Sequence, residues 1–335
     1  MDGTETTTSQ PSARVTAADV AMRVGVSRST VSRAFTPGRS VGADARTRIL
    51  AAARDLGYEP DGLAKALISG RSGIVGILMG ELENPIHAVL HQAIGLRLQQ
   101  HGLIPISAQV RPGIGTEEIV AIFRRYRAEA VILTSMHVSP ELVGACRDAG
   151  LRVLLLNRID EVGQASSVCA DIRQGGRLAA EHLLSTGRRR IAIAKGVAGS
   201  WTAETRLAGH FAGLEARGVG VRVVLDGGYG YDDGAGAAEA VAASGCDGML
   251  CPNDLFGIGL MDALRGRFGC RIPDDIAVVG FDDIPMAAWQ SYALTTVRLP
   301  IEEMADRGLQ AIVERAINEP VQEWVPCQLI MRHTT

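Results

Sequence analysis

The stretch VTAADVAMRVGVSRSTVSRAF, residues 15–35, decides the first part of the fold. Thr16 can cap a helix over 17–24 whose apolar positions fall on one face. Gly25 ends that helix because glycine tolerates a positive φ, and Ser27 can cap the helix that follows. Two short helices joined by a glycine turn, with valines filling the joint, predict a helix-turn-helix.

The second helix, predicted over 28–35, carries arginines and hydroxyl groups on its outward face. These outward side chains are Arg28, Ser29, Ser32 and Arg33. Arginine suits guanine edges in the major groove of DNA, and hydroxyl groups suit phosphates. The same residues also fit a plain three-helix bundle with a solvated Arg/Ser face, since a third helix is predicted over 43–56.

Charge favours the DNA interpretation. Residues 11–71 hold ten basic and five acidic side chains, although the chain of 335 residues has a net charge of −3. A basic segment at 11–71 in an otherwise acidic chain indicates that this segment alone has a polyanionic partner.

Beyond residue 72 the hydrophobic pattern changes to alternating strands and helices. Apolar strands are predicted at 74–79, 103–108, 130–134, 153–156, 191–194, 221–225, 248–251 and 276–281. Amphipathic helices are predicted at 87–100, 116–126, 140–149, 175–185, 202–216, 233–243, 254–267 and 301–317. This alternation predicts parallel sheets covered by helices on both faces. The length of the segment predicts two lobes, with ligands at the carboxyl ends of the strands.

Composition excludes several classes of protein. Apolar residues make up 47% and charged residues 21%, which is typical of a globular chain. No uncharged apolar run approaches the roughly 18 residues of a membrane-spanning helix, and residues 1–14 read as a disordered tail rather than a secretory signal. The six cysteines form no CxxC pair or Cys/His cluster, so a reduced, cytoplasmic protein without a metal site is expected.

Motifs of common enzymes are incomplete. The sequence has no P-loop and no full GxGxxG, and the GxSxG match at 38–42 falls between two helices rather than after a strand. His87 and His91 are four residues apart but have no third ligand nearby. Asp282 and Asp283 are adjacent, so at most one of them faces a cleft and acid/base catalysis is not favoured. We therefore expect neither an enzyme nor a cofactor.

Residues 15–35 and TRILAAARDLGYEPDGLAKAL, residues 47–67, resemble the lactose-repressor (LacI/GalR) family of bacterial transcription regulators. The resemblance continues in order through ELENPIHAVLHQAI, GGRLAAEHLLSTGRRRIAI, TRLAGH, CPNDLFGIGLMDAL, VVGFDD and LTTVRLP. It covers nearly the whole chain from Val15 onward. It implies a small all-α helix-turn-helix head and an α/β two-lobed core with parallel sheets, like that of the periplasmic sugar-binding proteins.

The resemblance also implies domain bounds. It places a helix-turn-helix domain at 15–60, a hinge at 61–71, and an effector-binding and dimerisation core at 72–335. The core chain is expected to cross between the lobes near residues 170, 295 and 322.

DNA contacts follow from the same resemblance. Those implied in the head are Thr16, Ser27, Arg28, Ser29, Thr30, Ser32 and Arg33. In the hinge, Lys65 stands where a basic residue is common, and Leu67 matches a leucine that wedges into the minor groove and kinks the duplex.

The resemblance further implies an effector between the lobes. The matching positions are Ile86, His87, Asn157, Arg206, Tyr229, Asn253 and Asp282. Arginine and aspartate can each make two hydrogen bonds to adjacent hydroxyl groups, and tyrosine can stack on a sugar face. This set predicts a sugar or a sugar acid, and His87 and Arg158 favour the acid because they add positive charge.

The resulting prediction is a cytoplasmic, effector-controlled repressor that binds pseudo-palindromic operator DNA as a homodimer. The chain ends at LIMRHTT directly after the last predicted strand, so we expect no C-terminal bundle that would make a tetramer. The alternatives are a cytosolic solute-binding protein and a sugar-metabolising enzyme on the same core fold.

Overall fold

The computed structural model describes residues 15–35, 40–59, 72–80, 82–109, 115–134, 138–313 and 320–335. The chain divides into two units, Met1–Ser72 and Gly73–Thr335. The predicted tail at 1–14 and the predicted hinge at 61–71 lie outside the described residues.

The described part of the first unit consists of the helices α1 (Ala17–Val24), α2 (Arg28–Ala34) and α3 (Ala43–Leu56). The helix-turn-helix spacing is as predicted, because Gly25 ends α1 with a φ of +75°. Arg48 on α3 donates from Nη2 to the carbonyl oxygen of Val24 at 2.9 Å, and this hydrogen bond links α3 to the end of α1 just before the turn. The centre of the unit is fully buried and apolar, formed by Val20, Val31 and Ile49.

The second unit contains two parallel sheets. The strands of the larger sheet are β1 (Ile74–Met79), β2 (Ile104–Gln109), β3 (Ala130–Leu133), β4 (Arg152–Leu156), β5 (Ser166–Ala170) and β11 (Gln322–Val325). They lie in the order β11-β5-β4-β3-β1-β2. The strands of the smaller sheet are β6 (Ile191–Ala194), β7 (Val221–Leu225), β8 (Gly248–Leu250) and β9 (Ala277–Val279). They lie in the order β7-β6-β8-β9. The prediction of parallel sheets is confirmed for both, since every neighbouring pair in them is parallel.

A small antiparallel pair departs from that prediction. It joins β10 (Thr296–Arg298) to β12 (Gln328–Ile330). Both strands belong to stretches that connect the two larger sheets, which explains why their direction differs from the βαβ pattern.

Helices cover the sheets, as the alternating pattern predicts. They are α4 (Pro85–Gln100), α5 (Thr116–Arg125), α6 (Pro140–Asp148), α7 (Ile172–Ser185), α8 (Trp201–Glu215), α9 (Tyr231–Ser244), α10 (Asp254–Phe268) and α11 (Ile301–Val313). We call the larger sheet with α4, α5, α6 and α11 lobe 1, and the smaller sheet with α7 to α10 lobe 2. The chain passes from lobe 1 to lobe 2 after Ala170, returns between Arg298 and Ile301, and passes across again after Val325.

In lobe 2, the helices α7 and α8 pack closely against each other. A Cβ placed on Gly209 would lie 2.2 Å from the carbonyl oxygen of Arg173, and one on Gly176 would lie 2.4 Å from that of Arg206. Glycine at both positions lets the two backbones touch, and this contact sets where Arg206 lies in the lobe.

We expect Gly209→Ala to lower the free energy of unfolding by about 1–3 kcal/mol, because the added methyl group forces the two helices apart. Urea unfolding followed by circular dichroism measures the change. The matched control is Gly236→Ala on α9, where a Cβ meets nothing within 4 Å. We expect its free energy of unfolding to rise by about 0.4–1 kcal/mol, because alanine lowers the chain entropy of the unfolded state. Equal urea midpoints for the two variants would show that the α7–α8 contact tolerates a side chain.

Candidate functional site

The outward face of α2 is formed as predicted. Arg28, Ser29, Ser32 and Arg33 are all exposed, whereas Val31 faces the interior. Arg33 lies back along its own helix, with Nε donating to the Ser29 carbonyl oxygen at 3.2 Å and Nη2 donating to Thr30 Oγ1 at 3.4 Å. These long, exposed contacts are easily exchanged for others, so the guanidinium can extend toward a partner.

Two of the predicted DNA contacts also begin helices. Ser27 Oγ accepts from the backbone N–H of Thr30 at 3.1 Å. Thr16 donates from its backbone N and from Oγ1 to Asp19 Oδ2, both at 2.8 Å. These bonds lower the pKa of the Asp19 carboxyl. Lys65 and Leu67 lie outside the described residues.

The second unit contains a cleft between lobe 1 and lobe 2, at the carboxyl ends of both parallel sheets. Its volume is about 360 Å³, within the range of roughly 300–1,000 Å³ that small-molecule sites occupy. All the effector residues predicted from the sequence line it, namely Ile86, His87, Asn157, Arg206, Tyr229, Asn253 and Asp282.

On the lobe 1 side, the cleft is formed by the start of α4 and by the loop after β4. Ile86 and His87 stand in the first turn of α4, and Asn84 caps that helix by accepting from the Ile86 N–H at 3.2 Å. Asn157 follows β4 with a φ of 60°. Its Oδ1 is buried and has no hydrogen-bond partner in the structure. A buried amide oxygen without a partner costs free energy, so it is a place where a ligand donor would be favourable.

On the lobe 2 side, Arg206 is the central charged group. It is only 5% exposed, and its guanidinium lies 5.0 Å from the ring centre of Phe281 and 5.6 Å from that of Tyr229. Nη2 also hydrogen-bonds to the Tyr229 hydroxyl at 3.2 Å. Cation–π contacts and this hydrogen bond hold the arginine in one orientation in the cleft wall.

Asn253 has a double role. Its Oδ1 accepts from the Phe256 N–H at 2.9 Å and caps α10, while its Nδ2 donates to the Tyr229 carbonyl oxygen at 3.0 Å. Asn253 therefore joins the loops after β7 and β8 within the cleft wall.

The two adjacent aspartates face different ways, as the sequence predicts. Asp282 lines the cleft, whereas Asp283 pairs with Arg298 at 2.7 Å and with Arg332 at 2.6 Å. Burial raises the pKa of Asp282 to about 7, against the opposing effects of Arg206 and of a 3.4 Å hydrogen bond from Asn84 Nδ2. The Asn84 contact crosses from lobe 1 to lobe 2.

Asp254 supports Asp282 from behind the cleft. It is fully buried and accepts from the Ile284 N–H at 2.8 Å and from the Thr296 hydroxyl. Burial, and then the charge of Asp282, raise its pKa well above the ordinary value. The carboxyl group thus anchors the loop that presents Asp282.

Sequence reasoning missed several cleft residues. Besides Arg158, which was considered for its charge, the lining includes Asn84, Ser200, Trp201 and Phe281. Asn84 and Trp201 lie at the starts of helices, and neither is among the positions that the family resemblance implied. The N-P dipeptide at 84–85 is a helix-start signal that could have pointed to Asn84.

The described residues contain no group of three or more His, Cys, Asp and Glu side chains that could hold a metal ion. In the same part of the chain, no helix combines the length and the apolar character needed to cross a membrane.

Comparison with known proteins gives two family matches. Residues 16–61 match the family described as bacterial regulatory proteins, lacI family, and residues 180–335 match the periplasmic binding protein-like domain. A curated relative, the HTH-type transcriptional regulator MalR of Streptomyces coelicolor, is 31% identical over 315 residues, which cover 90% of each chain.

Two solved structures extend the likeness to the whole fold. A complex of the transcriptional regulator CelR with cellobiose aligns with a TM-score of 0.72 at 29% identity, covering 96% of this chain and 100% of that one. The lac repressor dimer bound to operator and the anti-inducer ONPF aligns with a TM-score of 0.83 at 27% identity, covering 96% of this chain and 99% of that one.

Proposed function

This chain belongs to the lacI family of bacterial regulatory proteins and is a DNA-binding transcription regulator, and we propose that it is a repressor whose operator affinity is set by a sugar or sugar acid in the cleft between its lobes.

For DNA, we propose that Arg28, Ser29 and Arg33 on α2 contact bases, with Ser27, Thr30 and Ser32 near phosphates. The exposed arginine and hydroxyl face of α2 supports this assignment, because it has the donors that a major-groove reader needs. Thr16, Lys65 and Leu67 remain predicted contacts of the same interface.

For the effector, the carrying observation is that Arg206 and Asp282 line the lobe 2 side of a cleft whose lobe 1 side presents Asn157 with a partnerless Oδ1. A molecule with several neighbouring hydroxyl groups satisfies all three, since a hydroxyl group both donates and accepts. The solved complex of CelR with cellobiose supports a sugar, because CelR has the same fold and 29% sequence identity to this chain.

We propose that the working unit is a cytoplasmic homodimer on pseudo-palindromic operator DNA. The lac repressor neighbour is a dimer bound to operator, and two-fold related heads read two-fold related half-sites. An effector that binds one arrangement of the lobes more tightly shifts the dimer toward that arrangement and changes operator affinity.

The alternative, a solute-binding protein without DNA binding, would account for the periplasmic binding protein-like match but not for the lacI-family match at residues 16–61. A gel-shift titration of the purified chain on its own upstream DNA, with and without millimolar cellobiose, glucose, ribose or glucuronate, separates the two. A specific shift that one of these sugars reverses or strengthens supports the proposed function. Sugar binding without any specific shift supports the solute-binding candidate.

Effector affinity should depend on pH through Asp282. The raised pKa means that half of the carboxyl groups are protonated near pH 7, and an effector hydroxyl that donates to Asp282 binds the ionised form. Affinity therefore falls by roughly tenfold from pH 7.5 to pH 6. Calorimetric titration across this range measures it.

Asp282→Asn is the matched control, because it keeps the shape and should give a flat profile. His87→Gln in the same series removes the imidazole that also lines the cleft. An unchanged slope in Asp282→Asn would assign the titration to another group.

A further inference from the structure

The amino ends of the lobe 1 strands, opposite the cleft, carry a group of arginines. Arg124 and Arg125 stand in the last turn of α5, and Arg127 follows two residues later. All three are exposed, and so is Tyr126 between them, with 49% of its surface accessible. We call residues 124–127 the basic turn. Beyond residue 72 the chain holds 30 acidic and 24 basic side chains, so the basic turn is a local exception in an acidic unit.

The carboxylate nearest to the basic turn along the chain is engaged elsewhere. Glu129 accepts at Oε1 from the Gly73 N–H at 2.8 Å, and its Oε2 pairs with Arg152 at 3.5 Å. Within the part of the chain that the structure describes, the side chains of Arg124 and Arg125 have no ion pair or hydrogen bond. Their two charges are therefore available to a partner.

The basic turn lies beside the point where the chain enters the second unit. Gly73 bonds to the side chain of Glu129, and the Glu129 N–H donates to the carbonyl oxygen of Ile74 at 2.9 Å. The starts of β1 and β3 are thus neighbours, and the basic turn comes directly before β3. Residues 61–71, the predicted hinge, lead to this same end of lobe 1.

We propose that the basic turn is a second DNA-binding surface, which contacts phosphates of the operator duplex and reads no bases. Arginine guanidinium groups and a tyrosine hydroxyl are both suitable donors to phosphate oxygens. The inference rests on the proposed function, since it needs a protein that binds duplex DNA through its first unit. It extends the DNA contacts from that unit to the effector-binding core.

The length of the connecting chain allows this contact. Leu67 is a proposed contact in the minor groove, and Gly73 follows six residues later. Six fully extended residues span at most about 20–22 Å, so a duplex bound at Leu67 lies within that distance of the start of β1. Duplex DNA carries one negative charge about every 1.7 Å along its axis. Exposed arginines beside the start of β1 are therefore attracted to its backbone.

A different role for the same arginines is to stabilise the end of α5, because positive side chains in the last turn of a helix interact favourably with its dipole. Lobe 2 offers a control that is matched for this role. Arg267 is exposed in the last turn of α10, and Arg217 is exposed just beyond the end of α8. Both lie in the lobe that the predicted hinge does not enter.

The test compares two double variants of the full-length protein on its own upstream DNA. Arg124→Gln with Arg125→Gln removes two charges from the basic turn, and Arg217→Gln with Arg267→Gln removes two from lobe 2. Fluorescence anisotropy measures affinity at roughly 50–300 mM KCl, where each phosphate contact adds about 0.9 to the slope of log affinity against log salt. We expect the first variant to lose about 1.8 from this slope and to bind about tenfold or more weakly at roughly 100 mM KCl. The control variant should keep the slope of the wild type.

Two further measurements distinguish a phosphate contact from a structural role. Arg124→Lys with Arg125→Lys keeps both charges and should keep the slope, because lysine also binds phosphate. Ethylation interference should show phosphates at which ethylation hinders the wild type but not the glutamine variant. The base preference should be the same in both proteins, since phosphate contacts carry no sequence information. Circular dichroism and thermal unfolding establish that each variant is folded.

The outcomes that contradict the inference differ from those that contradict the proposed function. A glutamine variant with the salt slope and ethylation pattern of the wild type overturns the inference and leaves a regulator that binds DNA without the core. Weaker binding with an unchanged slope and pattern would mean that the basic turn acts within the protein, which also overturns it. A wild type that gives no specific complex with its upstream DNA overturns the proposed function and this inference together.

Discussion

Replacing Arg28 and Arg33 together with alanine is expected to remove specific operator binding. Each arginine that makes a bidentate contact to a guanine contributes about 1–3 kcal/mol, and its loss relaxes the preference at that base pair. Both side chains are exposed on α2, so the substitutions leave the buried centre of the first unit unchanged. Gel-shift titration and footprinting on the upstream DNA measure the effect, and each single variant should lose specificity at one position of each half-site.

Arg54→Ala is the matched control for charge. Arg54 is exposed on α3 of the same unit, and its removal takes away one positive charge without touching the reading helix. We expect a small, sequence-independent weakening that shrinks with added salt. An unaltered footprint after both α2 arginines are removed would refute the assignment of α2 as the reading helix.

Arg206→Ala should have the largest effect on the effector. The side chain is almost completely buried in the cleft wall and is held by two aromatic rings and the Tyr229 hydroxyl. Each hydrogen bond from a charged group to the ligand contributes about 1.5–3 kcal/mol. Loss of two such bonds weakens binding by at least 100-fold, which calorimetry with the sugar that binds the wild type detects.

Arg206→Lys tests whether a positive charge at this position is enough for effector binding, or whether the planar guanidinium is needed. Lysine keeps the positive charge but loses the planar fork and the stacking on Phe281 and Tyr229. We therefore expect most of the affinity to be lost in this variant as well. Affinity within threefold of the wild type in Arg206→Ala would mean that the ligand does not contact this arginine. Operator binding without effector should persist in both variants, because α2 is unchanged.

Much of the fold was predictable because its strands are apolar runs and its helices amphipathic. The run at 74–79 coincides with β1, and the helix predicted over 254–267 lies within one residue of α10. The strand β5 was not predicted, because its sequence SSVCA is short and begins with two serines. Its burial comes from the neighbours β4 and β11 on either side, which only the tertiary structure supplies.

The strand β11 shows the same limitation. Its sequence QEWV alternates exposed and covered side chains at the edge of a sheet, and four residues are too few for periodicity to be distinguished from chance. The pattern therefore gave no sign that the ring of Trp324 lies 5.9 Å from that of Trp201 in the other lobe. The polar cleft residues were predicted because they stand in segments that resemble the lactose-repressor family, whereas the packing of Arg206 on the Tyr229 ring is visible only in the structure.

The bond from Asn84 to Asp282 places a hydrogen-bond donor of the protein itself on a carboxylate that lines the cleft. The amide Nδ2 of Asn84 gives Asp282 the kind of N–H donor that an effector would otherwise bring, at a distance of 3.4 Å near the long limit of a hydrogen bond. We expect an effector hydroxyl group that donates to the same Asp282 oxygen to compete with Asn84, which would make the apparent affinity lower than the intrinsic one. Since Asn84 also caps α4, the displaced amide remains attached to the start of that helix. We therefore expect the concentration at which an effector acts to depend in part on Asn84.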